Sequence, residues 1–356
     1  MMIAEHFSKN IRNIMITILV IDGSEMSVLQ MLREPSYLTN KEVASVQNAN
    51  CVVMVPPKEF KFNAETAADN EFQNQVSLTD STVRQQAMAE FDAMVEMLRA
   101  EGVQVVVFDY PESECETPDA VFPNNWFSTT VNGELFTFPM ACENRRQEVR
   151  PAALMAALTA AGRTVAKQDS LESYLDVNAH LESTGVMVID HINQTIYAAL
   201  SQRCDREVLE DYAERIGYQK VVSFQTALPS GNPIYHTNVM MAIGERFCVI
   251  CDEVIPEFER RFVLKSLAKD KQIISISIEQ MNQFCGNILQ LETASGERVI
   301  AMSQSAYDAF SSAQLAQLAS HGKLLAFDVS TIENIGGGSV RCMLGEVFLP
   351  KNQAES

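Results

Sequence analysis

From Cys51 to the carboxyl end one succession of elements recurs five times: a strand, a turn, often a second strand, an amphipathic helix and a closing strand. The first copy runs from Cys51-Val-Val-Met-Val55 through a predicted helix around Val83–Ala100 to Val103–Phe108. In the second, two apolar runs flank Asn132-Gly133, a dipeptide suited to a two-residue hairpin. A helix is expected over about Arg146–Ala161, stopped by Gly162. The third copy predicts strands at Val186–Asp190, Thr195–Leu200 and Val221–Phe224, with a helix near Asp205–Ile216. The fourth predicts Thr237–Ile243 and Phe247–Cys251 as strands, a helix over about Pro256–Ala268, and a strand at Ile273–Ile278. The fifth predicts Asn287–Glu292, Val299–Met302, a helix near Ser312–Ser320, and strands at Leu324–Val329 and Val340–Leu349. The copies lie roughly 45–65 residues apart and share pattern, with little residue identity. One such unit cannot bury its apolar face alone, whereas radial repetition buries all of them. The expected architecture is therefore α/β: a five-bladed propeller of small mixed sheets.

The competing arrangement is an open α/β sheet, and the hairpins inside most units argue against a wholly parallel one. No Gly-x-Gly-x-x-Gly follows the first strand and no Gly-x4-Gly-Lys-Ser/Thr loop occurs, which disfavours nucleotide-cofactor chemistry. Residues 1–48 carry no part of the repeat. Ile14–Ile21 is an apolar run of eight residues, too short to span a bilayer. The expected organisation is an N-terminal extension over 1–48, without catalytic part, followed by one propeller domain over 49–356.

Acidic residues outnumber basic ones 46 to 27, giving a net charge of −19. A chain of this sign lacks the basic face that a phosphate backbone or an anionic membrane requires, so nucleic-acid and membrane partners are not expected. Apolar residues make up 47%, enough for a sizeable core. Eight cysteines in 356 residues do not form a disulfide framework. The pair Cys248 and Cys251 lies in an apolar strand pattern with no second pair at zinc-binding spacing. Core cysteines kept reduced point to the cytoplasm.

Five histidines narrow the search for chemistry. His180-x-Glu182 has no third ligand at metal-binding spacing, so no metal is expected. His236 follows the loop Pro229-Ser-Gly-Asn-Pro233 and opens a predicted strand. Cys342 follows Gly336-Gly-Gly338, where backbone can approach a ligand closely, and Arg341 beside it would favour thiolate over thiol. Taken singly, each is more ordinary as a satisfied histidine or a core cysteine. Together with Glu182 they fall at corresponding places in three different repeats, and a ring brings such places to one axis. That would join nucleophile, base and carboxylate.

On these residues the chain resembles the guanidine-group-modifying superfamily of arginine deiminases, dimethylarginine hydrolases and amidinotransferases. The matching segments run in the family's order: Phe122-Pro-Asn-Asn125, Asn144-Arg-Arg-Gln-Glu148, Leu181-Glu-Ser-Thr-Gly185, Leu200-Ser-Gln-Arg203, His236-Thr-Asn238, and Gly336-Gly-Gly with Cys342-Met343. The branch it is most similar to is that of the citrulline ureidases, through Phe60-Lys-Phe-Asn63-Ala-Glu-Thr-Ala67, Phe122–Phe127 and the glycine-rich Cys342 segment. The resemblance implies the five-bladed propeller, Cys342 as nucleophile, His236 as general acid and base, and Glu182 as the carboxylate that orients His236 and holds substrate N–H groups. It implies Arg203 and Arg145 as the grip on a substrate carboxylate, and no cofactor or metal. The implied partner is a small amino-acid substrate, citrulline or arginine-like; self-association is left open. The family's Phe-x-x-Asp and His-x-Asp appear here with Asn125 and Asn238, and Ser183-Thr184 replaces a glycine pair. Two amides in place of carboxylates suit a neutral ureido group better than a guanidinium. The expected reaction is hydrolysis of citrulline to ornithine, carbon dioxide and ammonia. Arginine deiminase, dimethylarginine hydrolase and amidinotransferase chemistry, and a non-catalytic amino-acid-binding propeller, are the alternatives.

Overall fold

The computed structural model describes residues 46–109 and 116–352. Its strands form five separate sheets of three strands each. The first pairs β1 (Cys51–Met54) in parallel with β2 (Gln104–Val107). The second contains β3 (Phe127–Thr129), β4 (Glu134–Thr137) and β5 (Lys167–Ser170). The third contains β6 (Val188–Asp190), β7 (Thr195–Ala199) and β8 (Lys220–Phe224). The fourth is built from β9 (Met241–Ile243), β10 (Phe247–Ile250) and β11 (Gln272–Ser275). The fifth is built from β12 (Leu289–Glu292), β13 (Arg298–Ser303) and β14 (Lys323–Phe327). A last strand, β15 (Gly345–Glu346), returns antiparallel to β1 and completes the first sheet. In every sheet the middle strand is antiparallel to one neighbour and parallel to the other. A parallel pair needs a crossover, and the helices supply it.

These crossover helices are α1 (Asp80–Ala100), α2 (Pro151–Ala160), α3 (Arg206–Arg215), α4 (Glu257–Leu267) and α5 (Ser312–Ala319). Their starts follow local chemistry. The Thr79 hydroxyl accepts from Thr82 N–H, Asp205 accepts from Glu207 N–H, and Ser311 with Gln314 forms a capping box. The helix expected over Arg146–Ala161 is instead two pieces, Glu143–Arg146 and Pro151–Ala160. Pro151 lacks an N–H and disfavours helical backbone at the residue before it, so it begins a helix and cannot continue one. A further short helix, Gln304–Ala309, precedes α5.

The apolar faces of neighbouring sheets share cores. Val52 and Met54 of β1 lie with Leu291, Val299 and Leu325 of the fifth sheet. Val53 and Val106 lie with Phe127 and Leu135 of the second. Phe136 joins Ile196 and Ala198 of the third, while Tyr197 and Val222 join Met241, Cys248 and Ile300 of the fourth and fifth. Cys248 and Cys251 are buried and free in this core. Among the described residues no helix is long and apolar enough to cross a membrane.

The expected extension over 1–48 lies, up to residue 45, outside the described residues. Its last part belongs to the packed body: Gln47 and Asn48 are buried. The Gln47 amide donates to Ile189 O at 2.9 Å and accepts from His191 N at 2.9 Å, tying the chain to the end of β6. The His191 ring meets Tyr218 Oη at 2.8 Å and stacks at 4.6 Å from Phe348. Burial, aided by Arg341, pushes the His191 imidazole down to about 4. In the unfolded chain an imidazole titrates near 6.5, so below that pH the unfolded state binds the extra proton. The stabilisation is present above about 6.5 and is lost as pH falls through about 4. Urea unfolding at a series of pH values should show this acid loss in the wild type and a shallower loss in His191→Asn.

Candidate active site

Ahead of the antiparallel edge strand of each sheet the chain makes a short turn. Pro123–Asn125 precedes β3, Ser183–Val186 precedes β6, and Thr237–Met240 precedes β9. Residues 284–287 and 339–343 turn in the same way before β12 and β15. The sequence-predicted strands at Thr237–Ile243 and Val340–Leu349 therefore begin later than expected. Their apolar first residues are buried on turns whose N–H groups are satisfied locally, such as Val239 N to His236 O and Cys342 N to Ser339 O. Burial without solvent contact imprints a strand-like apolar run on a segment that is not extended.

Glu182 and His236 immediately precede two of these turns, and both are buried. His236 Nε2 lies 2.7 Å from Glu182 Oε2. Glu182 also accepts from Ala141 N at 3.1 Å and from Arg203 Nη1 at 3.3 Å, with Arg145 Nη1 at 3.8 Å. Burial alone would raise this carboxyl, but Arg203, His236 and Arg145 hold it well below the ordinary carboxylate range. His236 is lowered: burial outweighs the opposing pull of Glu182. A neutral imidazole donating Nε2–H to the carboxylate leaves Nδ1 as the lone-pair nitrogen, the form a general base needs. The backbone supports this placement under strain. Ser183 stands at φ +39°, and its hydroxyl donates to Phe127 O at 2.8 Å. Gly185 has no Cβ because one would collide with Asn125 Nδ2 and the His236 ring.

The two arginines are occupied by protein acceptors. Arg145 makes a bidentate pair with Glu148, at 3.0 Å and 2.9 Å, and donates to Asn125 Oδ1 at 2.8 Å and Phe122 O at 3.2 Å. It is 2% exposed, so gripping a substrate carboxylate would strand Glu148. Arg145 is held by Glu148 in this geometry and also lines the cavity beside Arg203. Arg203 pairs with Asp69, Glu182 and Thr66 O, and lies 5.0 Å over the Tyr235 ring. Asp69 is the partly exposed member of this set, so Arg203 is the arginine with a partner a ligand could displace.

Cys342 lies in the turn before β15 and is buried. Its sulfur receives Asn287 Nδ2 at 3.3 Å and Asn238 Nδ2 at 3.5 Å. Arg341 does not serve the sulfur; it donates to Leu344 O at 2.9 Å and Glu346 Oε2 at 2.7 Å. Asn238 accordingly faces the candidate nucleophile and does not line the narrow cavity beside it. That cavity is lined by Asp119, Asn125, Arg203, His236 and Cys342 among others. Asn70 and Gln73 close one side by donating to the Gly336 carbonyl at 3.4 Å and 3.0 Å. Two lining atoms are buried without a partner, Asp119 Oδ1 and Asn125 Nδ2. Asp119 Oδ2 is held by Asn63 at 2.8 Å and Thr66 at 3.0 Å, and burial pushes this carboxyl up against the pull of Arg145. Among the described residues no cluster of three or more His, Cys, Asp or Glu side chains is arranged to hold a metal ion.

The family match and the five mixed three-stranded sheets place the chain in the guanidine-group-modifying superfamily. Within it, the chain belongs to the family of N,N dimethylarginine dimethylhydrolase, eukaryotic, whose model matches residues 56–349. Among curated proteins none matches the chain. Solved structures with a similar fold include ArgZ, an arginine dihydrolase of the cyanobacterial ornithine-ammonia cycle, with a TM-score of 0.66 and 14% identity over 85% of this chain. The chain spans 41% of that protein's length. A mutant of the ArgZ N-terminal domain bound to substrate aligns with TM-score 0.64 and 14% identity, over 83% of this chain and 97% of that domain. A dimethylarginine dimethylaminohydrolase adduct with S-methyl-L-thiocitrulline aligns with TM-score 0.58 and 16% identity, over 84% of this chain and 100% of the other. At these identities the likeness is one of fold.

Asn287 and Asn63 contribute to the site without having been singled out as site residues. The available signal for Asn287 was positional, since it opens the fifth repeat as His236 opens the fourth. If Arg145 is a structural anchor, Arg145→Gln should cost stability by about 3–5 kcal/mol, the penalty of leaving a buried ion unpaired. A residue serving only as a substrate grip would raise KM with an unchanged melting temperature, so calorimetry and kinetics on one variant separate the two.

Proposed function

We propose that this protein is a hydrolase of the C–N bond of a ureido or guanidino group, and that its favoured reaction is citrulline plus water to ornithine, carbon dioxide and ammonia. The observation that carries the ureido preference is the orientation of Asn125. Arg145 Nη1 can only donate, so Asn125 Oδ1 must face it, and the amide presents N–H to the cavity. A ureido oxygen accepts there. A guanidinium has only donors, and would set N–H against N–H. Asp119 Oδ1, also without a partner, is placed among the lining groups to accept a substrate N–H.

In this reading the Cys342 thiol gives its proton to His236 Nδ1 as the sulfur attacks the ureido carbon, and His236, oriented by Glu182, passes that proton to the departing amine. The S-linked intermediate is then attacked by water, whose proton His236 Nδ1 accepts. The product carbamate loses carbon dioxide. Arg203 is the candidate for the substrate carboxylate, by exchange of Asp69. The substrate is a small amino acid, with no cofactor implied. A second reading, hydrolysis of arginine itself, is favoured by Asp119, whose buried carboxyl would gain a cationic partner. The cores shared between neighbouring sheets support a closed five-bladed propeller, a single catalytic domain, with the segment before Gln47 carrying no catalytic part. Its free cysteines are consistent with a cytoplasmic setting.

Steady-state rates on citrulline, arginine and dimethylarginine test the reading. Cys342→Ala should abolish turnover with the fold intact, whereas Cys248→Ala should lower the melting temperature and spare the rate. Asn125→Asp should lower kcat/KM for citrulline by about tenfold or more, the scale of leaving one buried acceptor unsatisfied, and improve binding of arginine. Turnover in Cys342→Ala would sink the covalent route. A wild-type preference for arginine over citrulline would move the second reading ahead.

A further inference from the structure

We propose that Asp69 is a specificity-determining residue that selects α-amino acids: it pairs with Arg203 while the site is empty, and passes to the substrate's α-ammonium when the substrate carboxylate takes Arg203. The proposal rests on the reading of Arg203 as the seat of that carboxylate and adds what becomes of the group it displaces. Asp69 accepts from Arg203 Nε at 2.8 Å and from Nη2, a bidentate pair. The same guanidinium donates to Glu182 Oε2 at 3.3 Å and to Thr66 O at 3.2 Å. Arg203 therefore serves two carboxylates before any ligand arrives. Glu182 is fully buried and committed to His236 and the Ala141 backbone. Among the described residues the Asp69 side chain has no partner besides Arg203, and it is 27% exposed.

A ligand carboxylate at Arg203 would be the third negative charge on one guanidinium. Like charges crowded in a buried site repel unless the ligand brings its own cation. An α-amino acid does so on the carbon that bears its carboxylate. Asp69 stays close by when it is displaced. It caps the short helix Thr66–Ala68, and Thr66 and Asn70 on either side of it line the cavity. Asn70 and Gln73 fix this segment by donating to the Gly336 carbonyl, and the Phe72 ring lies 6.2 Å from Tyr235 and 5.7 Å from Phe284. The other acids of the segment are engaged elsewhere. Glu65 accepts from Asn144 N at 3.1 Å, and Glu71 accepts from Ser230 at 2.8 Å and Asn232 at 2.6 Å. Asp69 is thus the carboxylate that can turn from the guanidinium to an ammonium. The exchange breaks one ion pair and forms two, Arg203 with the ligand carboxylate and Asp69 with the ligand ammonium. A carboxylate ligand without the α-amino group forms one and leaves Asp69 bare.

The test is calorimetric binding of two ligand pairs, L-citrulline with 5-ureidopentanoate and L-arginine with 5-guanidinopentanoate. The full chain carries Cys342→Ala so that no ligand is consumed. The members of a pair differ only in the α-amino group. With Asp69 present the amino acid should bind about tenfold or more tightly than its partner, the scale of one charge-assisted hydrogen bond. Adding Asp69→Asn, which still accepts from Arg203, should cut that ratio about tenfold, the des-amino ligand gaining affinity because no internal carboxylate competes. If Asp69 is only a competitor for Arg203, the substitution tightens both members equally, and the unchanged ratio overturns the proposal. Equal affinities within each pair while Asp69 is intact overturn it as well, and that measurement stands even if Asp69→Asn fails to fold. A preference for arginine over citrulline would displace the ureido reading while the arginine pair still decides Asp69. Binding of none of the four ligands would remove both.

Discussion

Glu182 is a carboxylate buried at the meeting of four chain segments, and the site depends on the interactions it makes. It accepts from the Ala141 backbone, Arg203 and His236, with Arg145 close by. An isolated carboxylate in such a place would cost several kcal/mol or take up a proton. The two guanidiniums prevent that, and each is held by a further carboxylate: Glu148 for Arg145, Asp69 for Arg203. The network therefore has a direction. Outer carboxylates fix the arginines, the arginines keep Glu182 ionised, and Glu182 fixes the tautomer and orientation of His236.

The same charge balance bears on the amides at positions 125 and 238. Around the cavity lie Glu182, Glu148, Asp119 and Asp69, against Arg145 and Arg203. Burial pushes both Asp119 and Glu148 up, Glu148 to about 7, so the buried carboxyls already exceed what the two cations hold ionised before any substrate arrives. Carboxylates at positions 125 and 238 would deepen that imbalance unless a cationic substrate relieved it. Asn125 and Asn238 keep the hydrogen-bonding capacity and drop the charge. Asn125 leaves its donor without a protein partner beside the cavity, and Asn238 turns its donor to the sulfur.

Much of this was legible in the residues themselves. Five repetitions of apolar runs, turns and amphipathic stretches correspond to five sheets of identical strand order. Glu182, His236 and Cys342 stood out because reactive residue types recurred at corresponding places of different repeats. The misreadings are equally specific. Pro151 split a helix that periodicity alone had joined, because a missing N–H and a fixed φ do not register in an apolar pattern. The turns before β9 and β15 read as strands because complete burial selects apolar side chains whatever the backbone conformation. Asn287 passed unnoticed because an asparagine at the start of a strand is ordinary until its neighbours are known.

The residue types and their order by themselves determined the repeat and pointed to three candidate site residues, since these depend on local periodicity and on which side chains can act as nucleophile, base or anion. Only the tertiary structure decided what each polar group is bonded to. Arg145 and Arg203 carry the same charge in the sequence, yet one is saturated by a buried glutamate three residues away and the other by an aspartate 134 residues distant. Asn238 reaches Cys342 across 104 residues and Asn287 across 55. Hydrogen bonds are short and directional, so the role of an amide or a guanidinium is set by neighbours in space, and the chain acquires those neighbours only by folding.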